Sequence, residues 1–140
     1  MLKVLPIQSK EEQNILCGRC GIKFNPDLLA YAASVDGELV GICQFKLCAD
    51  GGVIYDIAKL LDRDEPVDKA ARDASDFEAL FVMGRGALNF IDLCGVHRAF
   101  YVGDIWDEGL IKAIGFKKND QGQFEMNLEG FFTDHCHNHK

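Results

Sequence analysis

Asp76–Gly103, DFEALFVMGRGALNFIDLCGVHRAFYVG, decides how this chain folds. Phe77, Leu80, Phe81, Gly84, Ala87, Leu88, Ile91 and Cys94 recur at the three-and-four spacing of one helix face. Val82, Met83 and Phe90 widen that face, so the helix is expected to be nearly engulfed. Ser75 and Asp76 are its expected caps and Gly95 its stop. Gly84 and Gly86 each cost about 1 kcal/mol against Ala inside a helix, and close approach to a sheet would offset that. Val96 and Ala99–Val102 then form a short, mostly apolar run, the pattern of a strand buried on both faces. A helix feeding such a strand is half of a parallel crossover.

Working outward, Leu2–Ile7 reads as a short edge strand ending at Pro6. Ser9, with Glu11 and Glu12 behind it, opens a helix that should run to about Gly18 or Gly21. Leu29–Val35, Leu39–Cys48 and Val53–Leu61 read as a three-strand antiparallel meander, with Asp36-Gly37 and Asp50-Gly51-Gly52 as its turns. Asp62–Ala74 is the one highly charged connection, where Asp64 and Pro66 suit the start of a short helix that can merge into the long one. After the buried strand, Trp106, Leu110, Ile111 and Ile114 mark a second amphipathic helix that Gly115 ends. Phe116 begins a strand whose hairpin partner is Phe124–Phe132. The expected domain is 1–132, followed by a polar, His-rich tail at 133–140.

The chain has 140 residues, 48% of them hydrophobic and 26% charged, the balance of one soluble globular domain. No apolar run approaches the roughly 20 residues that cross a bilayer, and the N-terminus turns charged too early for a secretory signal. A cytoplasmic location follows, with the six cysteines as thiols. The net charge of −7 argues against nucleic acid as a partner and is compatible with a cationic amine.

The order of elements resembles the GNAT fold, that of the GCN5-related N-acetyltransferases. Three stretches carry the resemblance. Ala33–Phe45, ASVDGELVGICQF, looks like the family's central hairpin. Gly86–Val102, GALNFIDLCGVHRAFYV, looks like its cofactor-side helix running into the fifth strand, and Gly109–Lys118, GLIKAIGFKK, like the helix that ends in Gly-Phe before a final hairpin. The resemblance implies an α/β (α+β) fold: a mixed sheet of six to seven strands with an antiparallel meander, a central parallel pair and helices on both faces.

It also implies acetyl-CoA as co-substrate and a small amine as acceptor. Asp56 then takes the place of the family's carboxylate base on the fourth strand. Tyr101 stands in for the family's tyrosine acid, whose own position carries Ile111 here. The splayed strands admit the pantetheine arm, and Ile57 is a cofactor-side residue of the Val53–Leu61 strand, whose backbone would polarise the thioester carbonyl. The family holds the pyrophosphate with a Gly-rich loop before the long helix, and the matching positions, Arg72–Ala79, have an arginine but no glycine. Lys59, Arg72, Ser75 and Asp76 are the residues expected at the cofactor end, although Asp73, Asp76 and Glu78 put carboxylates where phosphates would sit. Gly84-Arg85-Gly86 offers a second register for the loop, but it leaves a helix of only about ten residues against the periodicity.

Each candidate has a plainer reading. Asp56 can be a strand carboxylate satisfied by its neighbours. Lys59, Arg63, Lys69 and Arg72 can be a solvated cluster among acids. Cys17-x-x-Cys20 with His135-Cys136-His137-x-His139 has zinc-binding chemistry, but the two thiols sit at helix spacing and pack on one face, so no metal is expected. The same pair falls near a helix end, which disfavours a redox thiolate. Two functions stay open. One is an acyl-CoA-dependent N-acetyltransferase acting on a small amine. The other is a non-catalytic GNAT-like scaffold that has lost its cofactor loop. The final hairpin offers a surface for a homodimer.

Overall fold

The computed structural model describes residues 1–132. Residues 133–140, with the His-rich tail and its metal-binding candidates, lie outside the described residues.

Ten elements follow in order: β1 (Leu2–Pro6), α1 (Lys10–Cys20), β2 (Leu29–Val35), β3 (Glu38–Cys48), β4 (Gly51–Lys59), α2 (Lys69–Leu93), β5 (Arg98–Tyr101), α3 (Glu108–Ile114), β6 (Lys117–Lys118) and β7 (Phe124–Asn127). The seven strands form one sheet in the order β1-β2-β3-β4-β5-β7-β6. The meander pairs antiparallel, and β4 and β5 pair parallel through Gly52–Ala99, Val53–Phe100 and Ile54–Tyr101. The expected α/β architecture with a central parallel pair is the one observed.

Local chemistry accounts for most boundaries. Ser9 caps α1 by accepting from the Glu12 N–H, and Gly21 ends it in the left-handed region at φ 70°. Asp36 and Gly37, at φ 53° and 82°, make the tight β2–β3 turn. Helix α1 covers one face of the sheet, burying Leu16, Cys17 and Cys20 against Ile42, Ala58 and Leu60. Helices α2 and α3 cover the other, with Leu80, Met83, Leu88, Ile91, Leu110 and Ile114 in the larger core.

Several expectations change; the last strand, for one, ends at Asn127 rather than Phe132. Helix α2 begins at Lys69, capped by Asp68 through the Ala71 N–H, so Ser75 and Asp76 lie inside it and no helix starts at Pro66. The i,i+4 pairs Lys69–Asp73 and Arg72–Asp76 carry the helix back through the charged connection. The helix is not engulfed, since Phe77 and Val82 are more than a third exposed. Gly84 makes its close approach to α3, where an added Cβ would lie 2.6 Å from Ile114 Cδ1, rather than to a sheet. Helix α3 starts at Glu108 with Asp107 as cap, which leaves Trp106 off its apolar face and free to reach elsewhere.

One irregularity positions everything that follows. Gln44 pairs with Asp56 but Phe45 pairs with Ile54, so Tyr55 is an extra residue in β4. The β4–β5 ladder ends at that point. Val102 N–H donates to the Ile54 carbonyl at 3.0 Å, and no ladder pairing to β5 continues beyond it. The strands separate, and β4 from Tyr55 to Lys59 is left with an open edge.

Candidate active site in the split between β4 and β5

The open edge of β4 has a cavity on each side. One, of about 440 Å³, lies beside the C-terminal end of α1 and is lined by Cys20, Ile22, Asp56, Ala58, Tyr101 and Asp104, with Trp106 and Lys59 at its margin. The other, of about 530 Å³, lies against α2 and α3 and is lined by Lys59, Lys69, Asp73, Phe77, Leu80, Trp106 and Leu110. Trp106 and Lys59 line both, so these two side chains stand where the cavities border each other.

Asp56 reaches the first cavity because the Tyr55 bulge sets Asp56 and Ala58 on the α1 face. A buried amide relay holds its carboxylate. Gln44 Nε2 donates to Asp56 Oδ2 at 2.8 Å and to the Lys23 carbonyl at 2.9 Å, while Gln13 Nε2 donates to Gln44 Oε1 at 2.8 Å. Lys10 Nζ donates to Gln13 Oε1 at 3.2 Å and to the Leu28 carbonyl at 2.6 Å. Gln13 and Gln44 are fully buried and their amides are fixed by these partners. With Oδ2 bound, Oδ1 is left for the cavity. Burial pushes the Asp56 carboxyl above the usual carboxylate range, the Gln44 hydrogen bond partly opposes this, and Asp104 adds to the rise.

Tyr101, the last paired residue of β5, stands at the same opening and lines the same cavity as Asp56. Its hydroxyl donates to the Asp104 carbonyl at 2.6 Å. Burial raises its ionisation well above the ordinary phenol value, with the Asp56 charge adding to it, so it stays protonated. Asp56 and Tyr101, named separately from the sequence, are thus brought to one cavity.

Ile57 points its side chain into the α2 core, and its carbonyl lies on the open edge. Trp106 Nε1 donates to that carbonyl at 2.8 Å. Gly103 fills the step before it: an added Cβ there would come within 2.3 Å of the Tyr55 carbonyl, so only glycine lets the chain pass so close. Trp106 and Gly103 were not among the expected site residues. Asp107, an N-cap residue with a leucine three positions on, was the signal that Trp106 precedes the helix.

The expected cofactor-end residues divide. Lys59 lines both cavities and lies 3.3 Å from Asp76 Oδ2. Arg72 donates to the Asp64 carbonyl at 3.2 Å and borders a smaller pocket of about 250 Å³ with Lys59, Arg63 and Lys69. Asp76 is 4% exposed and holds Arg63 at 2.8 Å, so it is the anionic centre of this cationic group. Ser75 lines none of these cavities.

A CoA-type ligand has two demands, and the chain answers them differently. An amide-bearing arm needs an edge with backbone acceptors and apolar walls; the Ile57 carbonyl, which holds the Trp106 indole in this structure, is such an acceptor, and Phe77, Leu80 and Leu110 are such walls. A diphosphate needs free N–H groups at a helix start. Here Asp68 already occupies that start, which leaves Lys59, Lys69 and Arg72, each already beside a carboxylate, as the nearest cations. The arm fits; the glycine cradle is absent.

Among the described residues no group of three or more His, Cys, Asp and Glu side chains forms a metal site, and no helix is long and apolar enough to cross a membrane. Burial pushes the Cys17 and Cys20 thiols up to about 11, which leaves them protonated near neutral pH.

No family model matches this sequence, and no curated protein matches it. Solved structures do. The ribosomal-protein-S18-alanine N-acetyltransferase of Escherichia coli superposes with a TM-score of 0.58 at 11% identity, over 91% of this chain and 94% of that one. The PaiA N-acetyltransferase of Thermoplasma acidophilum, solved in complex with coenzyme A, gives 0.57 at 15% identity, over 91% and 99%.

Proposed function

Because this chain carries the fold of the GNAT N-acetyltransferases, we propose that it is an acyl-CoA-dependent N-acyltransferase acting on a small amine. The observation that carries this reading is the meeting of Asp56 and Tyr101 in one cavity, at the point where β4 and β5 part.

Acyl-CoA, when bound, supplies an acyl group activated as a thioester. The chain's own residues do the rest. The α1-side cavity receives the amine beside Asp56 and Asp104, whose charges favour an ammonium. Asp56 Oδ1 takes a proton from that nitrogen, and its raised carboxyl makes it a better base than a free aspartate. Tyr101 is kept protonated by burial; its hydroxyl proton, held by the Asp104 carbonyl in this structure, would have to turn from that carbonyl to reach a departing sulfur. The Ile57 carbonyl would be the backbone acceptor for the arm, and Lys59 with Arg72 would hold the phosphates. Asp76 holds that cationic group together, and Ser75 has no contact that gives it a part.

The test is calorimetry with CoA and acetyl-CoA, joined to an acetyl-transfer assay on a panel of primary amines. Binding, with transfer that Asp56→Asn abolishes, is the expected result. A second reading, a scaffold without catalysis, is favoured by one observation: the helix start that would meet a diphosphate is taken by the Asp68 carboxylate. No heat of binding with either CoA compound at millimolar concentration would leave that second reading in possession.

A further inference from the structure

We propose that Trp106 is a gate that this protein sets across its own ligand channel, and that the indole stands in for the ligand it excludes. The inference rests on the function proposed above and concerns regulation of the same site.

Three observations carry it. First, the indole N–H donates to the Ile57 carbonyl, the acceptor that the end of β5 leaves open. Edge carbonyls demand a partner, and here a side chain supplies what an extended ligand's amide would supply. Second, Trp106 lines the cavity on each face of the sheet, as does Lys59, so its ring stands at the border between a space of about 440 Å³ and one of about 530 Å³. Third, the ring is not locked into a core. Trp106 is 49% exposed and sits on an irregular segment between β5 and α3, ahead of the Asp107 cap. Its neighbours Ile105 and Val102 are also exposed. A buried tryptophan would be packing; a half-exposed one held by a single hydrogen bond can rotate at small cost.

Turning the ring outward frees the Ile57 carbonyl and joins the two cavities into one channel through the sheet. An acyl chain entering from the α2–α3 side would then reach Asp56 and Tyr101 on the α1 side. With the ring in place the two sides stay separate, and water from one has no direct path to a thioester on the other. The gate lowers the apparent affinity for the donor by the fraction of molecules that are open.

Trp106 is the only tryptophan in the chain, so its fluorescence and its single indole N–H resonance report on this position alone. Calorimetry with CoA on the wild type, Trp106→Phe and Trp106→Ala reads the gate directly. Phe keeps the ring and loses the hydrogen bond; Ala loses both. Removing a closing hydrogen bond is expected to tighten CoA binding by about five-fold in Trp106→Phe, and Trp106→Ala should tighten it at least as much. CoA should shift the wild-type emission towards the red and speed solvent exchange of the indole N–H. Equal affinities in all three proteins, with an unmoved emission, overturn the gate while leaving the acyltransferase standing. Weaker binding in both variants overturns it too, and makes Trp106 part of the ligand's wall. If no variant binds CoA, the acyltransferase reading falls and the gate falls with it.

Discussion

Gln44 Nε2 lies 2.8 Å from Asp56 Oδ2, on adjacent strands and directly across the ladder from it. That contact joins a fully buried amide to a carboxylate in the split of the sheet, and it bears on both the direction and the basicity of Asp56. Gln44→Met keeps the volume and removes the donor. Gln13 and the Lys23 carbonyl lose their partner at the same time, and each unsatisfied buried group costs about 1–3 kcal/mol. The variant should unfold at lower urea by that order. The Asp56 carboxyl, titrated by carbon-detected NMR, should move further up because the opposing hydrogen bond is gone. A carboxyl that stays where it was would show that Gln44 does not tune it.

The stability of Asp56 has a sign that follows from its shift. Burial raises its folded-state pKa, so the native chain holds the proton more tightly than the unfolded one. Stability from this group is therefore fully present below the ordinary value of about 3.9 and is lost as pH rises through the raised value. Asp56→Asn cannot lose it. Urea unfolding of the two proteins in parallel should show the variant gaining on the wild type across that window and holding a constant lead above it. In the acetyl-transfer assay the same variant should lose about 10²–10⁴-fold in rate. The wild-type rate should rise with pH through the same window.

Asp76→Asn removes the anion beneath Arg63, Arg72 and Lys59. Asp76 is 4% exposed and Arg63 10%, so the guanidinium keeps its burial and loses its main counter-charge. Breaking a buried pair from one side costs about 3–5 kcal/mol; Glu38, which also accepts from Arg63, places this case at the low end. Thermal unfolding followed by circular dichroism checks it, and a loss below about 1 kcal/mol, the level of an exposed pair, would contradict the structural role given to Asp76.

Gly84 and Gly86 look alike in the sequence and behave oppositely in the fold. A Cβ on Gly86 would meet only Val4 Cγ1 at 3.6 Å, an ordinary contact, so Gly86→Ala should stabilise by about 0.5–1 kcal/mol through helix propensity. A Cβ on Gly84 would lie 2.6 Å from Ile114 Cδ1 within the core. Overpacking there costs about 1–3 kcal/mol, which exceeds the same gain, so Gly84→Ala should destabilise. Denaturant midpoints of opposite sign are the expected outcome.

Particular residues show what the sequence made legible. Ser9, Gly21, Asp36 and Gly37 act through local backbone chemistry, and the elements they bound lie where that chemistry puts them. The parallel β4–β5 pair followed from a long helix feeding an apolar run. The start of α2 did not follow, because Lys69–Ser75 is held as helix by ion pairs and by Asp68, and has little apolar periodicity to mark it. Gln13 and Gln44 escaped notice for a related reason: as polar residues they read as solvent-facing, and their burial makes sense only when two distant elements bring their amides together. Trp106 was assigned by spacing to a helix face, whereas Asp107 caps that helix and starts it at Glu108, too late to include it.

The bulge at Tyr55 has a consequence beyond the site it opens. Side chains along a strand alternate between faces, so one surplus residue decides which half of β4 looks towards α1. Asp56 owes its side of the sheet to a matter of counting, independent of what it or its neighbours are made of. Such arithmetic depends on the number of residues between Ile54 and Asp56 and not on their chemistry. Deleting Tyr55 would straighten the ladder, with Phe45 still opposite Ile54 and Gln44 still opposite Asp56, so the carboxylate would keep its side while β4 lost the local bend that goes with the surplus residue.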